Sequence, residues 1–367
     1  MRILQVSSAR AFGGGERHVA DLARGLAARG HEVYAALAPG SPLRGELDAL
    51  PPANVLTLPL RNALDLGSAV RLARFTREHR IDVVHAHVAR DYTLAAFAAR
   101  RAPRSRLVVT RHVLFPLGRV HRYALSRVAR VVAVSHAVAR ALGAQGLFPA
   151  EKIRVVPNAV DLERFEAARA EFERGREVGT RARLRVGLVG ELSEVKGQDV
   201  FLRAAALVLP RFGGAAEFVV VGADTSREGR HRARLEALAA ELRLGDGVRL
   251  SGEWEDTADV LPSFDLFVSA SRSEAFGIAM VEAMACGVPV VATATEGARE
   301  IVEHGVDGLL VPVGDAGALA EAITSLLADD ARRKLFGARA RESARARFGL
   351  ASMIEATERV YAEALGT

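Results

Sequence analysis

Two glutamates, Glu274 and Glu282, lie in the segment of the sequence with the clearest potential for ligand chemistry. The apolar run 265–270 predicts a strand, and Gly277 then opens a predicted helix. Free backbone amides at residues 276–278 and the positive end of that helix would bind a phosphate. Because a carboxylate is unfavourable beside a phosphate, we expect Glu274 to accept hydrogen bonds from sugar hydroxyls and Glu282 to do the same for a ribose. The alternative is that the helix dipole alone favours both glutamates.

Lys196 stands in the loop after a second predicted strand, residues 185–190, within the sequence GELSEVKG. Parallel strands present their carboxyl ends at one edge of a sheet, so this lysine is expected at the same edge as Glu274. It would neutralise a diphosphate as a point charge. The chain has three lysines among 50 basic residues, which makes a lysine here informative. The alternative is an ordinary solvated loop lysine.

A glycine-rich loop, residues 13–15, follows the first predicted strand, residues 2–7. A glycine loop lets the backbone approach a ligand closely, and a plain tight turn is the alternative. The loop is not a dinucleotide fingerprint, because His18 stands where a third glycine is needed. The strand predicted at residues 32–37 also lacks the terminal acidic residue that would bind ribose.

Histidines occur at the carboxyl ends of two predicted strands, as His85 and His87 in one case and His112 in the other. Two histidines spaced by two suggest a metal site, but no further cysteine or carboxylate completes a ligand set. We therefore expect His112 to hydrogen-bond substrate and His87 to be structural. The chain contains no Asp-x-Asp pair, which a metal-dependent nucleotide-sugar site of the other common architecture would need.

Strand-like apolar runs alternate with helical periodicity along the chain, which predicts parallel βαβ units. The charged stretch 167–183 interrupts this rhythm and is predicted to be a linker. The predicted fold is therefore α/β, with two doubly wound, Rossmann-like domains facing each other across a cleft. The predicted strands are 2–7, 32–37, 54–58, 82–85, 106–110, 130–134, 153–156, 185–190, 217–222, 248–252, 265–270, 288–293 and 307–312, and three helices are predicted at 315–328, 330–346 and 350–365.

The composition restricts the class of protein further. The chain has 367 residues, of which 50% are hydrophobic, so it has material for two cores. No apolar run reaches the roughly 18 residues of a membrane span. The single cysteine, Cys286, excludes an internal disulfide. The first residues do not resemble a signal peptide, so a soluble, cytoplasmic protein is expected.

Charge is distributed unevenly along the chain. Residues 1–170 carry 26 basic and 13 acidic residues, although the whole chain has a net charge of only +6. Residues 100–130 hold nine arginines and no acid. A helix predicted at 116–130 would place several of these arginines on one face, which could contact anionic lipid or an anionic acceptor. The alternative is a solvated helix face. A nucleic-acid partner is not expected, because aromatic residues are only 5% of the chain and are not interleaved with the basic run.

Taken together, these segments resemble glycosyltransferase family 4, the retaining glycosyltransferases of the GT-B fold. The signature is the E-x7-E pair within SEAFGIAMVEAMACGVPVVAT. The resemblance extends over most of the chain in the right order. The supporting segments are GGGERHVADLARGLAARGHEV, DVVHAH, VPNAVDLERF, GELSEVKG and GAREIVEHGVDGLLVPVGD.

The resemblance implies the domain organisation of that family. Residues 1–166, together with about 350–367, would form the N-terminal acceptor-binding domain. Residues 184–349 would form the nucleotide-sugar-binding domain, and the last helix, 350–365, would cross back to the N-terminal domain.

The resemblance also implies roles for single residues. Glu282 would bind the nucleotide ribose, Glu274 the transferred sugar, and Lys196 the diphosphate leaving group. His112 would touch the sugar near the reacting carbon. The backbone amides of Phe276, Gly277 and Ile278 would hold the distal phosphate, and Gly14 and Gly15 would close over the donor.

One position departs from the family pattern. The family often has an arginine just after Gly190, where this chain has Glu191. Either Arg272 supplies the second cation, or donor binding is weaker, or Glu191 points elsewhere.

The expected activity is transfer of a sugar from a UDP- or GDP-sugar to a hydroxyl of a glycan or lipid-linked acceptor, with retention of anomeric configuration. No metal and no other cofactor is expected. The protein is expected in the cytoplasm, in possible association with the inner face of the membrane. A nucleotide-sugar-binding protein without transfer activity and a nucleotide-sugar epimerase of the same fold are the alternatives.

Overall fold

The computed structural model describes residues 1–118, 120–175, 183–252, 254 and 256–366. Every strand predicted from the sequence is present within about two residues of its expected bounds. The strands are β1 (Arg2–Ser7), β2 (Glu32–Leu37), β3 (Val55–Thr57), β4 (Val83–Ala86), β5 (Arg106–Arg111), β6 (Arg130–Ala133), β7 (Ile153–Val155), β8 (Leu184–Val189), β9 (Ala216–Val221), β10 (Val248–Gly252), β11 (Leu266–Ser269), β12 (Val290–Thr293) and β13 (Gly308–Val311).

Helices connect most of these strands, as the predicted βαβ pattern requires. Among the described residues, none of them is both long and apolar enough to cross a membrane. The helices are α1 (Gly14–Ala28), α2 (Leu43–Glu46), α3 (Leu66–Glu78), α4 (Tyr92–Arg101), α5 (Val120–Ala124), α6 (His136–Gln145), α7 (Leu162–Gly175), α8 (Gln198–Phe212), α9 (Arg230–Glu241), α10 (Ile278–Ala285), α11 (Glu296–Ile301), α12 (Ala316–Leu327), α13 (Asp330–Arg347) and α14 (Leu350–Leu365).

Both sheets are parallel and doubly wound, which confirms the predicted fold class. The first has the strand order β3-β2-β1-β4-β5-β6-β7, and the second has the order β10-β9-β8-β11-β12-β13. In each sheet the direction in which successive strands are added reverses once. The reversal lies between β1 and β4 in the first sheet and between β8 and β11 in the second. Open α/β sheets bind ligands beyond the carboxyl ends of the strands at such a reversal.

Two compact units contain these sheets. One comprises Met1–Ala159 and Leu350–Thr367, and the other comprises Val160–Gly349. The prediction that the linker begins at residue 167 is wrong, because α7 (Leu162–Gly175) is a helix of the second unit. Its residue Phe165 is buried, and Arg169 donates to the carbonyl oxygen of Pro262 at 3.1 Å. The rest of the predicted linker, up to residue 182, lies outside the described residues.

The predicted helix at 116–130 is also much shorter in the structure. Among the described residues of this segment, only α5, Val120–Ala124, is helical, and Arg130 already belongs to β6. Leu125 and Val128 are buried while Val120 is exposed, so the apolar positions do not form one helical face. The position of Arg119 lies outside the described residues.

The last helix, α14, supplies part of the core of the first unit. Met353, Ile354 and Tyr361 pack with the buried apolar residues of α1 and the first sheet. At Gly25 of α1, a Cβ atom would come within 2.0 Å of Ile354 Cδ1, which shows how closely the two helices approach. The Tyr361 hydroxyl is hydrogen-bonded to His85 Nδ1 at 2.7 Å.

Tyr361→Ala should therefore destabilise the first unit by about 3–5 kcal/mol, since it leaves a large cavity and removes the hydrogen-bond partner of His85 Nδ1. Urea unfolding followed by circular dichroism would measure this. Tyr123→Ala is the matched control, because the Tyr123 side chain is 79% exposed and its removal should cost within about 0.5 kcal/mol. Equal midpoints for the two variants would contradict the packing role of α14.

Candidate functional site

Two loops meet at the reversal point of the second sheet, one after β8 and one after β11. Gly197 has a φ of +67°, and a Cβ atom there would lie 2.0 Å from the carbonyl oxygen of Ala270. The amide of Arg272 also donates to the carbonyl oxygen of Val195 at 2.7 Å. Because only glycine permits this approach, the loop that carries Lys196 lies directly against the loop that carries the first glutamate of the signature.

The structure brings Lys196 and Glu274 into direct contact. Lys196 Nζ donates to Glu274 Oε2 at 2.8 Å, and Ser271 Oγ donates to the same oxygen at 3.2 Å. The Lys196 side chain remains 32% exposed, whereas Glu274 is 13% exposed. The contact is therefore accessible to solvent. An anion that binds at this edge would compete with the Glu274 carboxylate for Lys196.

The residues that follow Glu274 form an open helix N-terminus. Helix α10 begins at Ile278, and its N-cap Gly277 has a φ of +112° and provides no side-chain cap. The preceding residue, Phe276, is buried and packs edge-to-face on Phe348 at 5.6 Å between ring centroids. The start of α10 therefore has no side-chain cap from its N-cap residue, and an uncapped helix N-terminus favours binding of a phosphate.

Glu282 lies one turn further along α10 and is buried. Its Oε2 accepts a hydrogen bond from Thr257 Oγ1 at 3.0 Å. The short 3-10 helix Thr257–Asp259 that carries this hydroxyl was missed by sequence reasoning, because no motif marks it. The Thr257 hydroxyl thus helps to hold the Glu282 carboxylate in one orientation.

Gly297 of α11 supports the signature loop, and sequence reasoning missed it as well. A Cβ atom at this position would lie 2.5 Å from the carbonyl oxygen of Glu274 and 2.9 Å from the amide nitrogen of Phe276. The Gly297 amide donates to the Glu274 carbonyl oxygen at 3.1 Å. The loop therefore rests on a bare helix backbone.

Arg272 and Glu191 both have partners within the second unit. Arg272 donates to both carboxylate oxygens of Asp199, at 2.8 and 2.7 Å, and to the carbonyl oxygen of Glu194. Hydrogen bonding from Arg272 lowers the pKa of Asp199 below its usual value. The Glu191 carboxylate accepts a hydrogen bond from Thr225. Of the three alternatives for Glu191, this geometry agrees with a side chain that points elsewhere.

At the reversal point of the first sheet lies a group of histidines. His85 is hydrogen-bonded to Tyr361 and to Thr110 Oγ1, both at 2.7 Å, so it has structural contacts of the kind that were expected for His87. His87 Nε2 lies 2.7 Å from Gln5 Oε1, and His112 Nε2 lies 3.5 Å from His87 Nδ1. Since an amide oxygen only accepts hydrogen bonds, His87 carries its proton on Nε2.

A third imidazole joins His87 and His112 in the structure. His18, on α1, lies with its ring centroid 4.9 Å from that of His112 and 5.8 Å from that of His87. Gly15 of the glycine loop lies beside the His112 ring, since a Cβ atom at Gly15 would be 3.8 Å from His112 Cγ. Gly14 is the first residue of α1. The loop and the histidine predicted to serve the donor are therefore neighbours.

Burial governs the protonation of this group. Desolvation lowers the pKa of His18 to about 4, and it lowers the pKa values of His87 and His112 well below the usual range, with repulsion among the imidazoles adding to the effect. The three rings are therefore neutral near pH 7 and offer lone pairs and N–H groups rather than positive charge.

Comparisons with known proteins agree with this arrangement. The family profile described as Glycosyltransferase Family 4 matches residues 12–164, and the profile described as Glycosyl transferases group 1 matches residues 176–343. The D-inositol 3-phosphate glycosyltransferase of Xylanimonas cellulosilytica is 33% identical over 96% of this chain and 92% of its own length. The chain belongs to glycosyltransferase family 4.

A further relative and a solved structure extend the comparison. The N-acetyl-alpha-D-glucosaminyl L-malate synthase of Bacillus anthracis is 27% identical, over 94% of this chain and 92% of its own length. The structure of Anabaena HepE in complex with UDP-glucose is 26% identical, with a TM-score of 0.84 over 98% of this chain and 99% of that one. The protein is thus a nucleotide-sugar-dependent glycosyltransferase, and a binding protein without transfer activity or an epimerase is not favoured.

Gly297→Ala should disturb this family 4 enzyme although alanine is the better helix former. The added methyl group forces the Glu274–Phe276 backbone to move, so we expect a loss of about 1–3 kcal/mol in stability and weaker binding of nucleoside diphosphate. Thermal unfolding and calorimetry would measure the two effects. Gly317→Ala is the control, because this exposed glycine of α12 meets only the end of the Asp315 side chain. Unchanged nucleotide affinity in Gly297→Ala would contradict the supporting role.

Proposed function

We propose that this glycosyltransferase transfers a sugar from a UDP- or GDP-sugar to an acceptor hydroxyl and holds the donor at the reversal point of its second sheet. The observation that carries the proposal is the contact between Lys196 and Glu274, at 2.8 Å, beside the uncapped start of α10. A single lysine, an open helix N-terminus and a carboxylate match a diphosphate joined to a sugar.

The diphosphate would bind at the amides of Phe276, Gly277 and Ile278, where the helix dipole is positive. Lys196 would then transfer from the Glu274 carboxylate to the phosphate oxygens and neutralise the charge that develops as the leaving group departs. Glu274, released from the lysine, would accept hydrogen bonds from the sugar hydroxyls. The ion pair is in this way a resting arrangement that the donor replaces.

The remaining contacts orient the two ends of the donor. Glu282, whose carboxylate is already positioned by Thr257, would bind the ribose hydroxyls. His112 would hydrogen-bond the transferred sugar as a neutral imidazole, and Gly14 and Gly15 would allow backbone approach to the donor. The family 4 resemblance is the source of the assignment of His112 and the glycines.

The family 4 resemblance supplies the proposed chemical step, and these contacts support it. The bond from the anomeric carbon to the phosphate oxygen breaks, and the bond to the acceptor oxygen forms on the same face of the sugar. The acceptor proton passes to the departing phosphate oxygen, so the configuration is retained without a dedicated protein base. The protein supplies positioning and stabilisation of the diphosphate charge.

The acceptor is proposed to be anionic. The first 170 residues carry 26 basic and 13 acidic residues. Two relatives are named for D-inositol 3-phosphate and L-malate, both of which are anions at neutral pH. Either a small anion or an anionic glycan or lipid-linked acceptor has this chemistry.

Calorimetry with UDP and with GDP, followed by a screen of the corresponding donor sugars, would test the proposal. With the donor found, Lys196→Ala should lower kcat by about 10²–10³-fold, because it removes the charge that stabilises the leaving group. Lys334→Ala is the matched control, since Lys334 is 78% exposed and forms an ion pair with Asp330 of its own helix. Full activity in Lys196→Ala would refute the leaving-group role.

Glu191→Ala should leave kcat within about threefold of wild type, because the Glu191 carboxylate binds Thr225 and not Lys196. Initial rates at saturating donor and acceptor would measure this. A loss comparable to that of Lys196→Ala would instead place Glu191 in the donor site.

We further propose that the surface around α5 contacts an anionic membrane. Phe115 and Tyr123 are 68% and 79% exposed, and Arg122 and Arg127 are exposed beside them. Aromatic side chains together with arginines favour the interface of an anionic bilayer. This contact would place the protein at the inner face of the membrane.

Flotation with phosphatidylglycerol and with phosphatidylcholine vesicles would test the membrane contact. We expect the protein to float with the anionic vesicles only, and the double change Phe115→Ala and Tyr123→Ala to reduce the bound fraction. Leu335→Ala, which alters an exposed leucine of the second unit, should have no effect. Equal absence from both vesicle types would end this proposal.

A further inference from the structure

Three histidines from three separate elements converge in the first unit. His18 comes from α1, His87 follows β4, and His112 follows β5. One ring nitrogen from each lies within 4.8 Å of the others. The sequence suggested the pair His85 and His87 and no cysteine or carboxylate to complete a ligand set. The structure instead groups His87 with His112 and with His18, which lies on a helix about 70 residues before His87.

Two nitrogens of this cluster are buried without a hydrogen-bond partner among the described residues, namely His18 Nδ1 and His112 Nδ1. Buried imidazole nitrogens are nearly always paired, because an unpaired one costs desolvation energy. A ligand bound beside His112 could supply the partner that its Nδ1 lacks, whereas His18 also has Asn158 beside it.

His87 makes the additional hydrogen bond that metal-bound imidazoles typically make. His87 Nε2 donates to Gln5 Oε1 at 2.7 Å, which fixes the ring and leaves its Nδ1 unprotonated on the side of His112. Histidines that bind metals typically donate their other ring N–H to an oxygen in this way. Gln5 is itself buried and donates to the Tyr361 hydroxyl at 3.4 Å.

Size and access also fit a small cation. His18 and His87 are 2% and 5% exposed, whereas His112 is half-buried. Zinc–imidazole bonds of about 2.0–2.1 Å require ligand nitrogens somewhat closer together than 4.8 Å, so one ring must turn inward. His112 is the least buried of the three rings, so we expect it to be the one that turns.

We propose that His18, His87 and His112 form a binding site for a transition-metal ion of the Zn²⁺ class. Neutral imidazoles are ligands suited to Zn²⁺, Co²⁺ and Ni²⁺ and not to Mg²⁺ or Ca²⁺. The site is separate from the diphosphate site on the second unit and assigns the metal no part in sugar transfer. Because it uses His112, a bound ion would occupy an imidazole that the proposed function gives to the sugar.

The test measures metal binding directly, so its outcome does not depend on the proposed function. The full chain without a histidine tag is treated with EDTA, exchanged into metal-free buffer, and titrated with Co²⁺ by visible absorption and with Zn²⁺ by calorimetry. We expect one ion per chain and the intense d–d absorption of four-coordinate Co²⁺. His18→Gln and His87→Gln should each weaken binding at least about 100-fold, and Gln5→Ala by about 10–100-fold.

His136→Gln is the matched control, because His136 is an exposed histidine of the same unit. It should bind both ions as wild type does. Thermal unfolding establishes that each variant is folded, and Zn²⁺ should raise the Tm of wild type but not that of His18→Gln.

A second measurement needs no variant. In a Zn²⁺ titration of wild type followed by histidine-ring NMR, three of the ten histidines should shift at one equivalent. The proposal is overturned by the absence of saturable binding, by His18→Gln and His87→Gln variants that bind like wild type, or by shifts in a different set of histidines.

Discussion

The candidate donor site depends on the close approach of two loops at the reversal point of the second sheet. Gly197, in the left-handed region, lies where a Cβ atom would meet the carbonyl oxygen of Ala270 at 2.0 Å. This contact brings Lys196 to Glu274, and the loop that carries Glu274 then leads into the uncapped α10. A bulkier residue at position 197 would separate the loops, and the charge, the carboxylate and the helix amides would no longer share one place.

The strands were predictable because buried parallel strands are short apolar runs bounded by loops, a pattern that depends on neighbouring residues alone. The two wrong predictions concern segments whose structure depends on distant partners. The stretch after residue 166 is charged, yet it forms α7 because Phe165 has a buried site to fill and Arg169 has a carbonyl group to bind. The helix predicted at 116–130 cannot extend to its expected end, because Arg130 belongs to β6 beside β5 and pairs with Glu363.

The same distinction separates the predicted site residues from those that were missed. Lys196 and Glu274 follow strands that any parallel sheet places at one edge, so their proximity could be expected from topology. His18, Thr257 and Gly297 carry no such signal. A histidine within a helix, a threonine in a loop and a glycine in a helix are ordinary residues in the sequence, and only the tertiary structure places them beside His112, Glu282 and the Glu274 backbone.

The two reversal points differ in their electrostatics, and the difference follows from burial. In the second sheet, Lys196 and Glu274 are both partly exposed and form an ion pair with each other. In the first sheet, burial lowers the pKa values of His18, His87 and His112, so a cluster in a strongly basic half of the chain carries no charge of its own. Neutral imidazoles cannot compete with Lys196 for a diphosphate, but they retain lone pairs. Lone pairs suit sugar hydroxyls and transition-metal ions alike, so the burial that lowers the pKa values of these rings leaves them suited to either kind of ligand.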